Sequence, residues 1–262
     1  MLLSGSTAIV TGAASGIGRS IALTFADHGA NVVVADLQRT PKEDSASTPT
    51  HEIINQETDI SAEFVECDVR SIDDIEATVS TATELGKLDI LVNNAGIFDP
   101  TDFFETTSEE YNRTMQVNAK GMYFMSQLAA VEMMENDSGC IINISSIAGY
   151  LGNKRFIKYA MSKGAVRLLT YSLADYLGPH DIRVNAIHPG SIDTGIIEAD
   201  NEDIKQSKNL IPSGRIGQPE DVARVALFLG SYLSSYVNGE SILVDGGYTN
   251  TGAPRWDVRD LR

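Results

Sequence analysis

Short apolar runs alternate with longer amphipathic stretches along the chain. Seven runs of four or five residues are rich in Val and Ile, and most end near Gly, Asn or Asp, as buried strands do. Continuous apolar strands are typical of parallel sheets covered on both faces, so the pattern predicts one doubly wound α/β domain over residues 1–262. The runs are Thr7–Val10, Asn31–Ala35, Glu63–Cys67, Asp89–Val92, Cys140–Ile144, Arg183–Ile187 and Ser241–Val244.

The stretches between the strands carry helix start and stop signals. Ser71 is a favourable N-cap for a helix that ends at Gly86, and Thr107 with Glu110 has the spacing of a capping box. Pro219 opens a further helix, with acidic residues in its first turn where they favour the helix dipole. The alternation therefore predicts helices on both faces of a sheet of about seven strands.

Two segments break this rhythm. Gln38–Asp59 is rich in Pro, Ser, Thr and acidic residues, which predicts an exposed, insertion-like loop with one short helix near His51–Gln56. The tail 249–262 contains Trp256, which either packs on another subunit or belongs to a frayed end. A third segment, 191–212, is polar and charged before it turns apolar, and this predicts a lid over the substrate.

Composition narrows the function classes. The chain has 36 acidic and 20 basic residues and a net charge of -16, so a nucleic-acid partner is not expected. No apolar stretch is long enough to span a bilayer and the N-terminus lacks signal-peptide features, which predicts a cytoplasmic protein without a membrane partner. The acid surplus fits either adaptation to high salt or an ordinary solvated surface.

Cysteines and histidines do not predict a metal site. Cys67 and Cys140 each lie beside an apolar run, so two buried thiols are expected, and two cysteines cannot form a disulfide framework. The four histidines share no ligand spacing, and His188 in particular is interpreted as a structural or surface residue. Since the carboxylates are also scattered, no metal is predicted.

A glycine-rich turn follows the first strand. Gly12, Gly16 and Gly18 allow a tight turn and a close approach to a pyrophosphate, and the next helix offers free N–H groups at its N-terminus. Asp36 at the end of the second strand can accept hydrogen bonds from a ribose 2′-hydroxyl and would repel a 2′-phosphate. The expected cofactor is therefore NAD, with NADP left open by Arg19 and Arg39.

The glycine spacing, with three residues and then one between glycines, resembles that of the short-chain dehydrogenase/reductase family. The similarity runs from about Gly5 to Gly247 and implies a Rossmann fold, with the long 38–59 segment as the chief departure. The other matching motifs are Asn93-Asn94-Ala95-Gly96 after the fourth strand, Asn118, Ser146, Tyr159-x-x-x-Lys163 and Pro189-Gly190.

Tyr159 and Lys163 lie four residues apart, which puts them on one face of a helix. A nearby ammonium lowers the pKa of a phenol, so Tyr159 can exchange a proton with an alcohol or carbonyl. The resemblance implies that Lys163 also holds the nicotinamide ribose, that Ser146 orients the substrate oxygen, and that Asn118 stabilises a helix kink and a bound water. Ser145 is the rival of Ser146 for its role.

The resemblance also implies the contacts of the cofactor. Asp68 and Val69 are expected at the adenine, and Ile192 and Thr194 at the nicotinamide carboxamide. The full predicted set is Gly12, Ser15, Gly16, Ile17, Gly18, Asp36, Asp68, Val69, Asn94, Ala95, Gly96, Tyr159, Lys163, Pro189, Gly190, Ile192 and Thr194.

These observations predict an NAD-dependent oxidoreductase that moves a hydride between the nicotinamide and a secondary alcohol or ketone. The expected substrate is a sugar, a polyol or another small polar alcohol, in a pocket walled by Ile97–Phe98, Ile147–Phe156 and Ser191–Leu210. A 3-oxoacyl-thioester reductase and a catalytically silent nucleotide sensor are the alternatives. The resemblance implies a homotetramer, with a dimer as the alternative, and apolar excess on the helices of 108–135 and 156–177 favours a subunit interface there.

Overall fold

One parallel sheet organises the chain. The computed structural model describes residues 1–42, 47–194 and 210–251, and within them seven strands pair in the order β3-β2-β1-β4-β5-β6-β7. Each predicted run lies within one of these strands or extends one residue past its end, and the predicted doubly wound fold is confirmed. The strands are β1 Thr7–Thr11, β2 Asn31–Asp36, β3 Ala62–Glu66, β4 Leu88–Asn93, β5 Gly139–Ile144, β6 Ile182–Pro189 and β7 Ser241–Val244.

Helices connect successive strands, and the predicted caps are formed. The Ser71 hydroxyl accepts from the Asp74 amide at 3.3 Å, and Thr107 and Glu110 make both bonds of the capping box. The helices are α1 Gly16–Asp27, α2 Thr50–Glu57, α3 Ile72–Leu85, α4 Ser108–Met115, α5 Met122–Glu135, α6 Ile157–Leu177, α7 Pro219–Gly230 and α8 Tyr248–Thr251, with 3-10 turns at Ile147–Gly149, Gly178–His180 and Tyr232–Ser234 and a π-helical turn at Gln116–Gly121.

Two apolar cores lie on opposite faces of the sheet. Val10 belongs to the core under α1 and α7, while its neighbour Ile9 belongs to the core under α3 and α5. Val34 and Val33 divide between the two cores in the same way. Because successive strand residues point to opposite faces, a strand buried on both sides must be apolar at every position.

The 38–59 segment contains more packed structure than its composition indicated. The helix expected near His51–Gln56 is α2, and Thr50, His51 and Ile54 on its inner side are buried. These buried side chains depart from the expectation of an exposed loop. A polar helix of two turns gives no clear apolar periodicity, so only its contacts with α1 and β3 reveal the buried side. Residues 43–46 lie outside the described residues.

Buried amide side chains fasten the sheet to the helices behind it. Asn93 at the end of β4 donates to Asn143 Oδ1 at 2.9 Å and to Ser126 Oγ at 2.8 Å. Asn143 on β5 donates to Thr170 Oγ1 of α6 at 3.0 Å. Since a buried amide without a partner is costly, these bonds hold α5 and α6 in one register against β4 and β5.

The strand order places the site. The chain runs outward from β1 to β3 and then returns to the other side of β1, so the carboxyl ends of β1 and β4 flank the point where the order reverses. Ligands of open α/β sheets bind in the crevice outside such a point. Among residues 1–42, 47–194 and 210–251, no helix has the length and apolarity required to cross a membrane.

Candidate active site

The glycine turn is folded tightly at the start of α1. Gly12 has φ +65°, and a Cβ there would lie 2.9 Å from the Asn94 amide nitrogen. A Cβ on Gly18 would overlap the carbonyl oxygen of Gly12. Both positions therefore require glycine, one for its left-handed backbone and the other for the close approach of helix to turn.

Asn94 joins the end of β4 to this turn. Its side chain donates to the Thr11 carbonyl at 2.9 Å and to the Gly12 carbonyl at 3.1 Å. In return, the Thr11 hydroxyl accepts from the backbone amides of Asn94 at 2.9 Å and Ala95 at 3.0 Å. The side chain of Asn94 is thus engaged in holding the turn, in addition to its place beside the cleft.

A cleft of about 300 Å³ opens at the strand ends. Predicted cofactor residues supply most of its wall, namely Gly12, Ser15, Gly16, Ile17, Asp36, Asp68, Val69, Asn94, Ala95, Gly96 and Thr194. Ile97 was predicted as part of the substrate wall, and the remaining wall residues, which carry no motif, were missed by the sequence, namely Leu37, Lys42, Arg70, Arg113 and Val117.

Six predicted cofactor residues lie outside this wall, namely Gly18, Tyr159, Lys163, Pro189, Gly190 and Ile192. Gly190 donates its amide to Val244 at 3.0 Å, and Ile192 forms a bridge with Gly217. The predicted lid 191–212 falls largely on residues 195–209, which lie outside the described residues, as does Trp256 in the tail.

Asp36 and Asp68 contribute two carboxylates to the wall of the cleft. Asp36 accepts from the Ala14 amide at 3.0 Å, so it is tied to the glycine turn. Asp68 accepts from the guanidinium of Arg70, including Nε at 2.9 Å, and these bonds hold the pKa of the Asp68 carboxyl below its ordinary value. Both acids are therefore positioned by contacts with neighbouring backbone or side chains.

Two arginines near Asp36 are held by the segment around α2. Arg19 donates to the Thr48 carbonyl at 3.0 Å and to the Thr50 hydroxyl at 3.1 Å. Thr50 is fully buried and donates in turn to the Ala13 carbonyl at 2.8 Å. Arg39 pairs with Glu52 at 2.7 Å.

The predicted catalytic residues come together beyond the turn. Tyr159 and Lys163 lie one turn apart on α6, with the Lys163 ammonium 5.8 Å from the centre of the Tyr159 ring. Lys163 donates to the Ile144 carbonyl at 2.9 Å, and burial lowers the pKa of its ammonium to about 8. Part of the Tyr159 side chain remains accessible to solvent.

The expected effect of Lys163 on Tyr159 is not met. Burial is the largest influence on the phenol and raises its pKa, while the hydrogen bond with Ser146 opposes this rise. The physical reason is that desolvation disfavours the phenolate, and the ammonium is directed at a backbone carbonyl.

The structure distinguishes Ser146 from its rival Ser145. Ser146 stands just past β5, hydrogen-bonds Tyr159 and accepts from the Ala148 amide at 3.1 Å. The Ser145 hydroxyl is buried and donates to the carbonyl of Lys163 at 3.0 Å. Ser145 therefore fixes α6 to the sheet, and Ser146 is the serine that meets the phenol.

Asn118 sits in the π-helical turn between α4 and α5, where the sequence predicted an interrupted helix. It is fully buried; it accepts from the Ile97 amide at 2.8 Å and donates to the Ile97 carbonyl at 3.0 Å. It also donates to Ser162 Oγ at 3.0 Å. π-Helical turns are common at functional sites, and this one connects the loop after β4 to α6.

Aromatic rings form a wall at Tyr159. Phe98 lies edge-on to Tyr159 with 5.0 Å between ring centres, and to Phe156 with 5.4 Å. Phe98 remains 55 % exposed, so it also offers apolar surface to a ligand. Two of the three predicted wall segments, Ile97–Phe98 and Ile147–Phe156, thus contribute a ring near the phenol, and the third, Ser191–Leu210, lies largely outside the described residues. Over the described ranges, no cluster of three His, Cys, Asp or Glu side chains is suited to a metal ion.

Comparison with known proteins identifies relatives over nearly the whole chain. The family model described as enoyl-(acyl carrier protein) reductase matches residues 12–249. Trans-4-hydroxycyclohexanecarboxylate dehydrogenase of Sinomonas cyclohexanicum is 40% identical over 96% of this chain and 95% of its own. The 7alpha-hydroxysteroid dehydrogenase of Escherichia coli K12 is 40% identical over 94% of both chains.

Solved structures agree with these relatives. A short-chain type dehydrogenase/reductase from Mycobacterium marinum superposes with a TM-score of 0.88 at 36% identity, over 95% of this chain and 97% of the other. A candidate NAD(P) dependent gluconate 5-dehydrogenase from Beutenbergia cavernae, solved with NADP at low occupancy, gives a TM-score of 0.86 at 33% identity, over 94% and 98%. The chain belongs to the short-chain dehydrogenase/reductase family and is an oxidoreductase that acts on alcohols or ketones.

Proposed function

We propose that this enzyme uses NAD to oxidise a secondary hydroxyl of a small polar alcohol, such as a sugar or polyol, with Tyr159 as general acid/base. The observation that carries the proposal is that the side chains of Ser146 and Tyr159 meet beside the buried Lys163, which lies one helical turn from Tyr159. A nucleotide sensor without chemistry could use Lys163 to hold a ribose, but it would have no need of a serine hydroxyl beside a tyrosine phenol.

The cleft fits a dinucleotide. Gly12 and Gly18 let α1 and Asn94 pack closely on the turn, and the N-terminus of α1, which has no side-chain cap bond, lies in the cleft wall at Gly16 and Ile17. Asp36 and Asp68 would hold the adenosine half, and Lys163 and Thr194 the nicotinamide half. When bound, the dinucleotide supplies the acceptor for the hydride.

The side chains of this chain then manage the proton. Ser146 orients the alcohol oxygen beside Tyr159, and Tyr159 takes the hydroxyl proton as the hydride leaves the same carbon, so that a ketone forms. With a pKa of about 8, Lys163 is mostly charged at neutral pH. Its ammonium would then stabilise the phenolate that burial disfavours.

Preference for NAD rests on the charges around Asp36. The Asp36 carboxylate lies in the cleft wall, where it would repel a 2′-phosphate. Of the two arginines that could offset this repulsion, Arg39 is paired with the Glu52 carboxylate, and Arg19 is held in place by the Thr48 carbonyl and the Thr50 hydroxyl. Lys42 lines the same wall, and the relative from Beutenbergia cavernae was solved with NADP, so both cofactors are assayed below.

The substrate class follows from the wall at Tyr159. Phe98 and Phe156 present ring surface, which suits a ring compound with C–H groups on one side. The relatives named for hydroxycyclohexanecarboxylate, gluconate and hydroxysteroid substrates act on secondary alcohols or the corresponding ketones. A small hydroxylated ring or chain is therefore the favoured substrate.

We also propose a homotetramer. The outer faces of α5 and α6 expose large apolar side chains, which supports an interface between copies of the chain. The exposed side chains are Tyr123 and Val131 on α5 and Ile157, Met161, Leu168 and Tyr176 on α6.

Light scattering is expected to give the mass of four chains; a stable monomer at working salt would overturn this.

An assay that follows the reduction of NAD tests the proposed oxidation of an alcohol. NAD is supplied with sugars, polyols, cyclic alcohols, hydroxy acids and steroids, and acetoacetyl thioester is supplied with NADH. Tyr159→Phe is expected to lower kcat about a thousandfold, because the proton acceptor is lost. Tyr176→Phe, on the exposed face of the same helix, is the control and should leave kcat unchanged. Activity confined to the thioester or to steroids would refute the polar-alcohol substrate, and full activity of Tyr159→Phe would refute the mechanism.

Cofactor choice is tested by kcat/KM with NAD and NADP. The native enzyme should prefer NAD, and Asp36→Ala should reduce that preference at least about tenfold, because a like charge next to the phosphate is removed. Glu63→Ala on β3 serves as a control acid that does not line the cleft and should leave the ratio unchanged. Better turnover of the native enzyme with NADP would contradict the proposal.

We expect the protein to become more stable when the buried Lys163 is replaced, by an amount that depends on pH. Its pKa falls from 10.5 to about 8 in the folded protein, so the unfolded chain binds an additional proton between these values and wild-type stability rises with pH there. Lys163→Met should raise the free energy of unfolding by about 2 kcal/mol at pH 7, after loss of the Ile144 bond, while it abolishes turnover.

This gain should be full below about pH 8 and shrink as the pH rises toward 10.5, as measured by chemical denaturation at pH 7 and pH 9.5. Lys120→Met, at an exposed lysine, should change stability by less than about 0.5 kcal/mol. If Lys163→Met is less stable than the native enzyme at pH 7, burial of the charged Lys163 side chain does not destabilise the folded protein, and the prediction is wrong.

A further inference from the structure

The His188 ring lies behind Ser146. It stands at the end of β6 and is fully buried. Its Nδ1 is 2.8 Å from the Ser146 carbonyl oxygen, and its Nε2 is 3.1 Å from the Ser241 hydroxyl on β7. The edge of the Tyr150 ring packs against it, with 4.6 Å between ring centres. Both nitrogens therefore have partners.

The chemistry of these partners fixes the direction of each bond. A carbonyl oxygen only accepts, so Nδ1 carries the proton and donates to Ser146. A neutral imidazole has one N–H, so Nε2 accepts from the Ser241 hydroxyl. The ring is neutral because burial, with smaller contributions from Arg167 and Lys163, lowers the pKa of His188 to about 4.

The chain of hydrogen bonds continues outward in the same direction. Tyr171 donates to the Ser241 hydroxyl at 3.0 Å and accepts from Arg167 Nε at 2.9 Å. The Arg167 guanidinium also lies 3.8 Å from the centre of the Tyr150 ring, which packs on His188. A guanidinium cannot accept, so the whole series donates toward Ser146.

Ser146 depends on this support because it lies beyond the β-ladder. The β5–β6 pairing ends at Ile144, two residues earlier. The Ser146 carbonyl accepts one local bond, from the Gly149 amide at 2.9 Å in its own turn. The Ser145 amide donates to the Ile187 carbonyl of β6 at 2.8 Å, and the bond from His188 extends this attachment to β6 by one residue, to the Ser146 carbonyl.

We infer that His188 is a positioning residue, which sets the Ser146 peptide so that the Ser146 hydroxyl meets Tyr159. The inference rests on the proposed role of Ser146 in the reaction. His188 does not line the cleft, and its hydrogen bond to the Ser146 carbonyl connects it to the reacting groups, while its ring packs on Tyr150. Errors of about 1 Å in the position of such a group can lower a rate about a hundredfold, so one hydrogen bond behind the serine is enough to matter.

Two amide substitutions separate the two ring nitrogens. In His188→Asn the amide nitrogen takes the place of Nδ1 and can still donate to the Ser146 carbonyl. In His188→Gln the amide oxygen takes the place of Nε2 and can still accept from the Ser241 hydroxyl, while the bond to Ser146 is lost. With NAD and cyclohexanol as probes, His188→Gln should lower kcat about tenfold with little change in the KM for NAD. His188→Asn should stay within about threefold of the native enzyme.

A double-mutant cycle separates positioning from a structural role. Ser146→Ala removes the hydroxyl that His188 positions, so adding His188→Gln to it should lower kcat no further. Independent, multiplied losses would overturn the inference. If Ser146→Ala alone leaves kcat unchanged, the proposed role of Ser146 fails, which is a different result.

A second measurement needs no substrate. In protein labelled with 13C at the tyrosine Cζ, with the Tyr159 signal assigned by Tyr159→Phe, NMR titration reports the phenol directly. Because the bond from Ser146 lowers the pKa of Tyr159, Ser146→Ala should raise that pKa, and His188→Gln should raise it in the same direction while His188→Asn does not. An unchanged titration in a folded His188→Gln protein would overturn the inference.

Discussion

The hydrogen bonds between Asn94 and the glycine turn are the constraint on which the cleft depends. The bonded backbone groups lie at or just past the ends of β1 and β4, where regular pairing of the two strands has stopped. Thr11 and Asn94 satisfy these groups reciprocally, with four bonds between 2.9 and 3.1 Å. The turn is thereby fixed before any ligand arrives, and the N-terminus of α1 faces an open space.

The helix that carries Tyr159 and Lys163 is fixed by buried polar groups of the same kind. Asn143 reaches Thr170, Ser145 reaches the Lys163 carbonyl, and Asn118 reaches Ser162. Apolar contacts alone would allow a helix to slide over the sheet, since dispersion has little directionality. These amide and hydroxyl bonds set its register, so the phenol meets Ser146 and not a neighbour.

Burial at the site has opposite effects on two groups. It raises the pKa of Tyr159 and lowers that of Lys163, so it disfavours the charged form of each. Burial therefore disfavours the phenolate that the proposed reaction forms at Tyr159, and it disfavours the ammonium that the reaction uses at Lys163. Perturbation of this kind is typical of catalytic sites, and the stability it costs is offset by the two large cores of the sheet.

The sequence by itself determined the fold and the family, and it predicted a candidate site. Seven apolar runs, helix caps such as Ser71, and the ordered set from Gly12 to Lys163 depend on local patterns, which a chain displays without its tertiary structure. Tertiary structure alone decided the rest. The buried side of α2, the choice of Ser146 over Ser145, and the raised pKa of Tyr159 each depend on contacts between residues distant in sequence. His188 is the sharpest case, because a lone histidine carries no motif and only the pairing of β6 with β7 brings it between Ser241 and Ser146.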